Sequence, residues 1–177
     1  MTRALAAVVA LSLVAAGTAA AAIYPGSAQK LAPPPSEIAF TTLVKFAKTT
    51  TPKGALAKGY KQGVAAFYEK GTAKKPVEAV ATIYVYSSAA ATKAAWTSSC
   101  AKCKVEKAPA GLRLKAEAGT NSGLPALHEI TTCSNVYLDV LEISSEKAAA
   151  IDNDVVKITN AVLVRALHSG LSSCTAK

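Results

Sequence analysis

The stretch Trp96-Thr-Ser-Ser-Cys-Ala-Lys-Cys-Lys104 sets Cys100 and Cys103 two residues apart, four residues after a tryptophan and beside Lys102 and Lys104. Two cysteines at that spacing can cycle between dithiol and disulfide, and a neighbouring cation or helix N-terminus favours the reactive thiolate. A second group joins His128 and Asp139, an imidazole and a carboxylate that together could relay a proton or orient a ligand. Beyond these the chain is sparse in chemistry. The only other histidine is His168, no serine lies in a G-x-S-x-G elbow, and Glu129 and Glu142 have the apolar neighbours Leu127 and Val140 rather than a shared polar setting.

Which of these groups meet depends on the elements that carry them, and first on where the mature chain begins. The start, MTRALAAVVALSLVAAGTAAAA, has a cationic Arg3, an apolar run from Ala4 to Ala16 and small residues near Ala20 and Ala22. That is the pattern of a secretory signal peptide, so residues 1–22 are set aside from the fold. The apolar run is shorter than the roughly 20 residues of a membrane span. Thr18 stands where a lipidated cysteine would be, and no stable membrane anchor is expected. Residues 23–36, rich in proline, glycine and small polar residues, read as an extended tether. A single α+β domain is expected over 37–177, since a chain of 177 residues that is 51% hydrophobic has enough apolar content for one core and too little length for two ordinary domains.

Within that domain, Ser36 can cap a helix over 37–48, with Phe40, Leu43, Val44 and Ala47 at helical spacing, although the threonines there also suit a strand. Residues 60–71 and 76–87 read as a hairpin rich in Val, Ile, Tyr and Phe. Ser87 or Ser88 then caps an alanine-rich helix carrying Trp96. Three strands follow at 111–118, 124–133 and 136–144, the last two joined by a tight Ser134-Asn135 turn. A final helix runs over 146–170, with Ile151, Val155, Ile158 and Val162 as its apolar stripe and Gly170 as its C-cap. The expected fold is one antiparallel sheet of about five strands, with helices packed on one face and the order (α)-β-β-α-β-β-β-α.

Export makes disulfides the ordinary state of the four cysteines. In thioredoxin-type sites the first cysteine opens a helix, whose N-terminus stabilises its thiolate. Here Cys100 closes a helix and Cys103 leads into a loop, which favours a structural staple. The final helix must run back along the sheet, returning Cys174 to the turn after Cys133. A Cys133–Cys174 bridge would close a loop of roughly 40 residues, contributing about 3 to 4 kcal/mol in the chain-entropy model.

The formal charge of +9 is uneven, with nine lysines against Glu37 and Glu69 in residues 23–75. Lys53, Lys58 and Lys61 are the candidate contacts for an anionic cell-envelope polymer or small ligand; a merely solubilising surface is the alternative, and no nucleic acid is expected. By strand alternation Tyr60, Tyr68, Tyr84 and Tyr86 fall on a helix-free face. His128, Ile130 and Thr132 then share a face with Tyr137, Asp139 and Leu141, making His128 and Asp139 diagonal neighbours. Neither a metal nor a cofactor is expected.

The stretch VEAVATIYVYSSAAATKAAWTSSC, followed by TTCSNVYLDVLEIS and a terminal amphipathic helix, resembles the extracellular sensor domains of bacterial Ser/Thr kinases and related secreted proteins with a PsbP-like or Mog1-like α+β fold, over about residues 58–170. The resemblance implies a disulfide-stapled, ligand-sensing or accessory domain without catalytic activity. It carries over no site residues. The sequence therefore reads as a secreted or extracytoplasmic bacterial binding or accessory domain, with two alternatives: a thiol-disulfide oxidoreductase using Cys100 and Cys103, and a hydrolase using His128 and Asp139. Intact-mass analysis and peptide mapping are expected to show a mature chain beginning near Ile23, no free thiol and a Cys133–Cys174 link; a dominant Cys100–Cys133 link would misplace the final helix.

Overall fold

The computed structural model describes residues 22–107, 113–121, 123–144, 148–171 and 174, so the expected signal peptide, apart from its last residue, lies outside the described residues. The elements run β1 (Thr42–Lys48), β2 (Tyr60–Thr72), β3 (Lys75–Tyr86), α1 (Ala89–Ser98), β4 (Lys104–Lys107), β5 (Arg113–Asn121), β6 (Leu124–Cys133), β7 (Val136–Ser144) and α2 (Ala148–His168), with short 3-10 turns at Ala28–Leu31, Pro35–Glu37 and Gly54–Ala57. All seven strands join one antiparallel sheet in the order β1-β2-β3-β7-β6-β5-β4.

The two strands beyond the expected five are the edges. Residues 42–48 form β1 and not a helix: Phe40 is buried just ahead of it while Val44 is 46% exposed, so the helical spacing of these residues does not mark a buried stripe. Pairing with β2 decides the conformation, and the β-branched Thr42 and Val44 suit it. At the other edge, Lys104–Lys107 pairs with β5 where a loop was expected.

The two faces of the sheet carry different layers. Val77, Ala79, Ala81, Ile83 and Val85 of β3 point to one face, joined in register by Leu138 and Val140 of β7. There α2 lays down its buried stripe of Ile151, Val155, Ile158 and Val162, as its spacing predicts. Gly170 ends it at φ 88° and donates its N–H to the Leu167 carbonyl, in the left-handed conformation that favours glycine at this position. Helices on one face were expected, but α1 packs on the other. Its N-cap is Ser88, whose hydroxyl accepts from the Ala91 N–H, and its Ala95 meets Tyr86, Ile130 and Tyr137.

Residues 23–36, expected as a tether, are packed on the α2 face over β2 and β3, with Tyr24, Ala28 and Leu31 buried. Tyr68 donates its hydroxyl to the Pro33 carbonyl at 2.8 Å, and Gln62 donates to the Gly26 carbonyl at 2.9 Å. Two ion pairs tie α2 into the same layer. Asp154 is buried against Lys70 of β2. Arg165 grips Glu37 with two hydrogen bonds of 2.6 and 2.7 Å, which hold the Glu37 carboxyl below its ordinary pKa.

The Ser134-Asn135 turn collects these parts. Asn135 is fully buried: its side-chain oxygen accepts the Tyr24 N–H at 2.6 Å, and its amide nitrogen donates to the carbonyls of Tyr24 and Tyr86. Its own carbonyl accepts the Tyr86 N–H at 2.8 Å. The adjacent Cys133 is bridged to Cys174, as the topology predicts. Asn135→Ala removes one side of three buried hydrogen bonds and orphans their partners, so chemical denaturation is expected to show a loss of at least about 1–3 kcal/mol. A loss below about 0.5 kcal/mol would mean that the node is incidental.

Candidate functional site

Among the described residues, the face opposite α2 is covered at one end only. There Tyr60, Tyr84, Tyr86 and Tyr137 form an aromatic cluster with ring centroids 5.7 to 6.4 Å apart, closed over by α1 and by Leu56 of the Gly54–Ala57 turn. Tyr86 and Tyr137 are each 1% exposed, so these two are core rather than an open binding surface. Their hydroxyls have internal partners: Tyr86 donates to the Leu56 carbonyl at 2.9 Å, Tyr137 meets the Ser99 hydroxyl at 2.7 Å, and Tyr60 meets that of Thr49 at 3.0 Å. Burial pushes the Tyr86 phenol up to about 12 and raises those of Tyr84 and Tyr137, with Asp139 adding to the last two. They are held as neutral phenols. Gly63 lets the Tyr84 ring lie across β2, because a Cβ there would stand 2.5 Å from that ring.

Tyr68 is not in this cluster. A β-bulge between Tyr60 and Gln62 shifts the alternation along β2, so Tyr60 shares a face with Tyr86 while Tyr68 points to the α2 side and is buried against Phe40. The expectation of one shared parity fails at this bulge.

Past the aromatic cluster no described element covers the face, and the register lines up its side chains. One cross-strand row runs Lys45, Phe67, Val80, Leu141, His128, Glu117, and the row beside it, Ala65, Thr82, Asp139, Ile130 and Lys115, marks the margin of the covered end, with Ile130 and Lys115 buried against α1. Phe67, Val80 and Leu141 are half-buried, with the Lys45 ammonium 4.8 Å above the Phe67 ring. His128 and Asp139 are diagonal neighbours, as expected, and Nε2 of the imidazole lies 2.8 Å from the Asp139 carboxylate. That hydrogen bond raises the His128 pKa, burial opposes it, and the charges of Asp139 and Glu117 add to the rise. The pair thus offers a polarised donor beside an apolar floor.

The same register bears on the catalytic alternatives. The cross-strand neighbours of His128 are Leu141 and Glu117, neither of them a hydroxyl nucleophile. Thr82 and Thr132 flank Asp139 or Tyr137 instead. Cys100 and Cys103 form a disulfide just after the C-terminal end of α1, the context expected of a staple. Trp96 lies one turn ahead of it, donating to the Ile130 carbonyl at 3.3 Å beneath the Lys115 ammonium. Sequence reasoning missed Glu117, whose carboxylate lies 3.4 Å from the Cys100 sulfur. Nothing in the spacing of β5 announces that approach. Lys53, Lys58 and Lys61 are exposed on and beside the Gly54–Ala57 turn, at the covered end of the face.

No family model matches this sequence, and no curated protein matches it. Among solved structures, the chain is similar to the extracellular domain of PknH from Mycobacterium tuberculosis, with a TM-score of 0.53 and 12% identity over 79% of this chain and 98% of that one. At that identity the likeness is one of fold, and it agrees with the resemblance read from the strand-helix junction, the hairpin and the closing helix.

The His128–Asp139 pair makes stability depend on pH. Because the folded-state pKa of His128 is raised, its contribution is complete below the ordinary histidine value of about 6.5 and disappears as pH rises through the folded value. Denaturation of the natural protein and of His128→Gln is therefore expected to differ more at about pH 5.5 than at about pH 8. The change should be about 1 kcal/mol or less, since both side chains are partly in water. A difference that grows with pH would reverse the assignment.

Proposed function

We propose that this chain is an extracytoplasmic, noncatalytic binding domain whose ligand lies on the uncovered half of the sheet face opposite α2. The observation that carries the reading is the row Phe67, Val80, Leu141, His128: three half-buried apolar side chains ending at a polarised imidazole, on a face otherwise closed by α1 and the tyrosine cluster. Completing the burial of one such half-buried aliphatic side chain contributes roughly half of the 1.5–3 kcal/mol of full burial. The Lys45 ammonium at one end and the His128 imidazole at the other suit a small ligand with an apolar body and an acidic group. Lys53, Lys58 and Lys61 add a screened, long-range attraction for anions over a Debye length of about 8 Å at physiological salt.

The setting has independent support. The leader pattern at the start of the sequence is that of an exported chain, the cysteines are paired as they are in oxidising compartments, and the fold resembles that of an extracellular domain. Among the described residues no helix is long and apolar enough to cross a membrane.

Anilinonaphthalene sulfonate combines an aromatic body with an anionic head and serves as the probe. Binding to the folded protein is expected to weaken about tenfold or more in Leu141→Asp, which sets a like charge before the sulfonate and removes about 1.4 kcal/mol or more of contact. It should also weaken as pH rises through the His128 titration. Unchanged binding in Leu141→Asp, with circular dichroism showing an intact fold, would remove the face from consideration.

A further inference from the structure

We propose that reduction of the Cys100–Cys103 disulfide opens a site for a thiophilic divalent cation, with the two thiolates and the Glu117 carboxylate as its ligands. The two sulfurs and a Glu117 carboxylate oxygen lie within 4.8 Å of one another. A tetrahedral ion such as Zn²⁺, with bonds of about 2.0–2.3 Å to oxygen and sulfur, holds its ligand atoms about 3.5 Å apart. The separation of 3.4 Å between the Cys100 sulfur and Glu117 Oε2 already meets that spacing. Breaking the S–S bond frees the sulfurs to move apart to it.

The supporting elements are different in kind. Cys100 and Cys103 sit on a short loop between α1 and β4, while Glu117 projects from β5, a strand paired on both sides. The loop can adjust to an ion that the strand positions. Without a cation, two thiolates and a carboxylate gathered in this way repel one another; with one, their charges become the attraction that holds it. Lys102 and Lys104 lie beside Glu117 along a neighbouring cleft and favour the thiolate form of the reduced pair. Three protein ligands leave a fourth position for water or an external donor.

Access separates this disulfide from the other. Cys100 and Cys103 are partly exposed, whereas Cys133 and Cys174 are 1% and 6% exposed. An external dithiol can therefore attack the first bridge without reaching the second. In that exchange the donor gives two electrons and two protons: its own two sulfurs become a disulfide, and Cys100 and Cys103 become thiols. The arriving cation then displaces the two thiol protons. The staple and the metal site are the two redox states of one loop, and the proposal does not rest on the ligand reading given above.

The test uses the whole mature protein with cadmium as the probe. After mild dithiol treatment without denaturant, alkylation followed by intact-mass analysis should show two modified cysteines, mapped to Cys100 and Cys103. Removal of the reductant and titration with Cd²⁺ should then produce the ultraviolet thiolate-to-cadmium absorption, saturating at one ion per chain. The oxidised protein and Cys103→Ser should not produce that saturating signal. Glu117→Gln, a surface change that leaves both thiols in place, should lower the affinity by at least the roughly 10–100-fold that loss of an outer-shell partner costs. Equal affinity in Glu117→Gln overturns the proposal, as does modification of none or all four cysteines, or equivalent binding by the oxidised protein. Far-ultraviolet circular dichroism reports whether the reduced protein keeps its fold; loss of the native spectrum on reduction overturns the proposal equally.

Discussion

Asn135 has more of the structure depending on it than its place in a two-residue turn suggests. A buried primary amide must satisfy two donors and an acceptor, and this one does so with backbone groups of Tyr24 and Tyr86. The turn is thereby fixed to the first described residues and to the end of a central strand. The adjacent Cys133–Cys174 bridge fixes it to the segment beyond α2. Because the partners are main-chain groups, the node specifies where the chain passes rather than which side chains it carries. The N-terminal segment can then act as part of the second layer, laying Ala28 and Leu31 over β2 and β3 beside α2.

That arrangement explains why the two faces differ. The α2 face is closed by an N-terminal segment and a helix, with Lys70–Asp154 and Arg165–Glu37 joining them to the sheet and to each other. The opposite face receives one short helix, α1, whose ten residues cover the aromatic end and leave the apolar row beyond it in contact with solvent. Four tyrosines suit this half-covered position. Their rings fill the space beneath α1 and the Gly54–Ala57 turn, and the hydroxyls of Tyr60, Tyr86 and Tyr137 reach acceptors or hydroxyl partners at its margin. The aromatic cluster therefore acts as the closed wall beside the proposed ligand face.

Where one local pattern controlled the outcome, the sequence was readable. The period of Ile151, Val155, Ile158 and Val162 marked α2, the Ser87-Ser88 pair marked the start of α1, and two-residue alternation across the last hairpin brought His128 to Asp139. Both cysteine pairings followed from spacing and the expected return of α2. The failures arose where distant parts decide. Residues 42–48 have helical spacing but become an edge strand through pairing with β2, and residues 23–36 look like a tether because their partners lie in strands far along the chain. One extra residue at the β2 bulge moved Tyr68 to the opposite face, and strand alternation cannot register such an insertion.

The convergence on the Ser134-Asn135 turn also has a mechanical meaning. A pull between residue 22 and Cys174 would load the Tyr24–Asn135 hydrogen bonds and the Cys133–Cys174 bridge before it sheared any strand from its neighbour. The bridge is covalent and the hydrogen bonds are short-ranged, so the first yield would be a peeling of the N-terminal segment. Once that segment has peeled, the load would pass into β1, the edge strand that follows it, while the covalent clasp keeps the β6–β7 turn tied to the segment beyond α2.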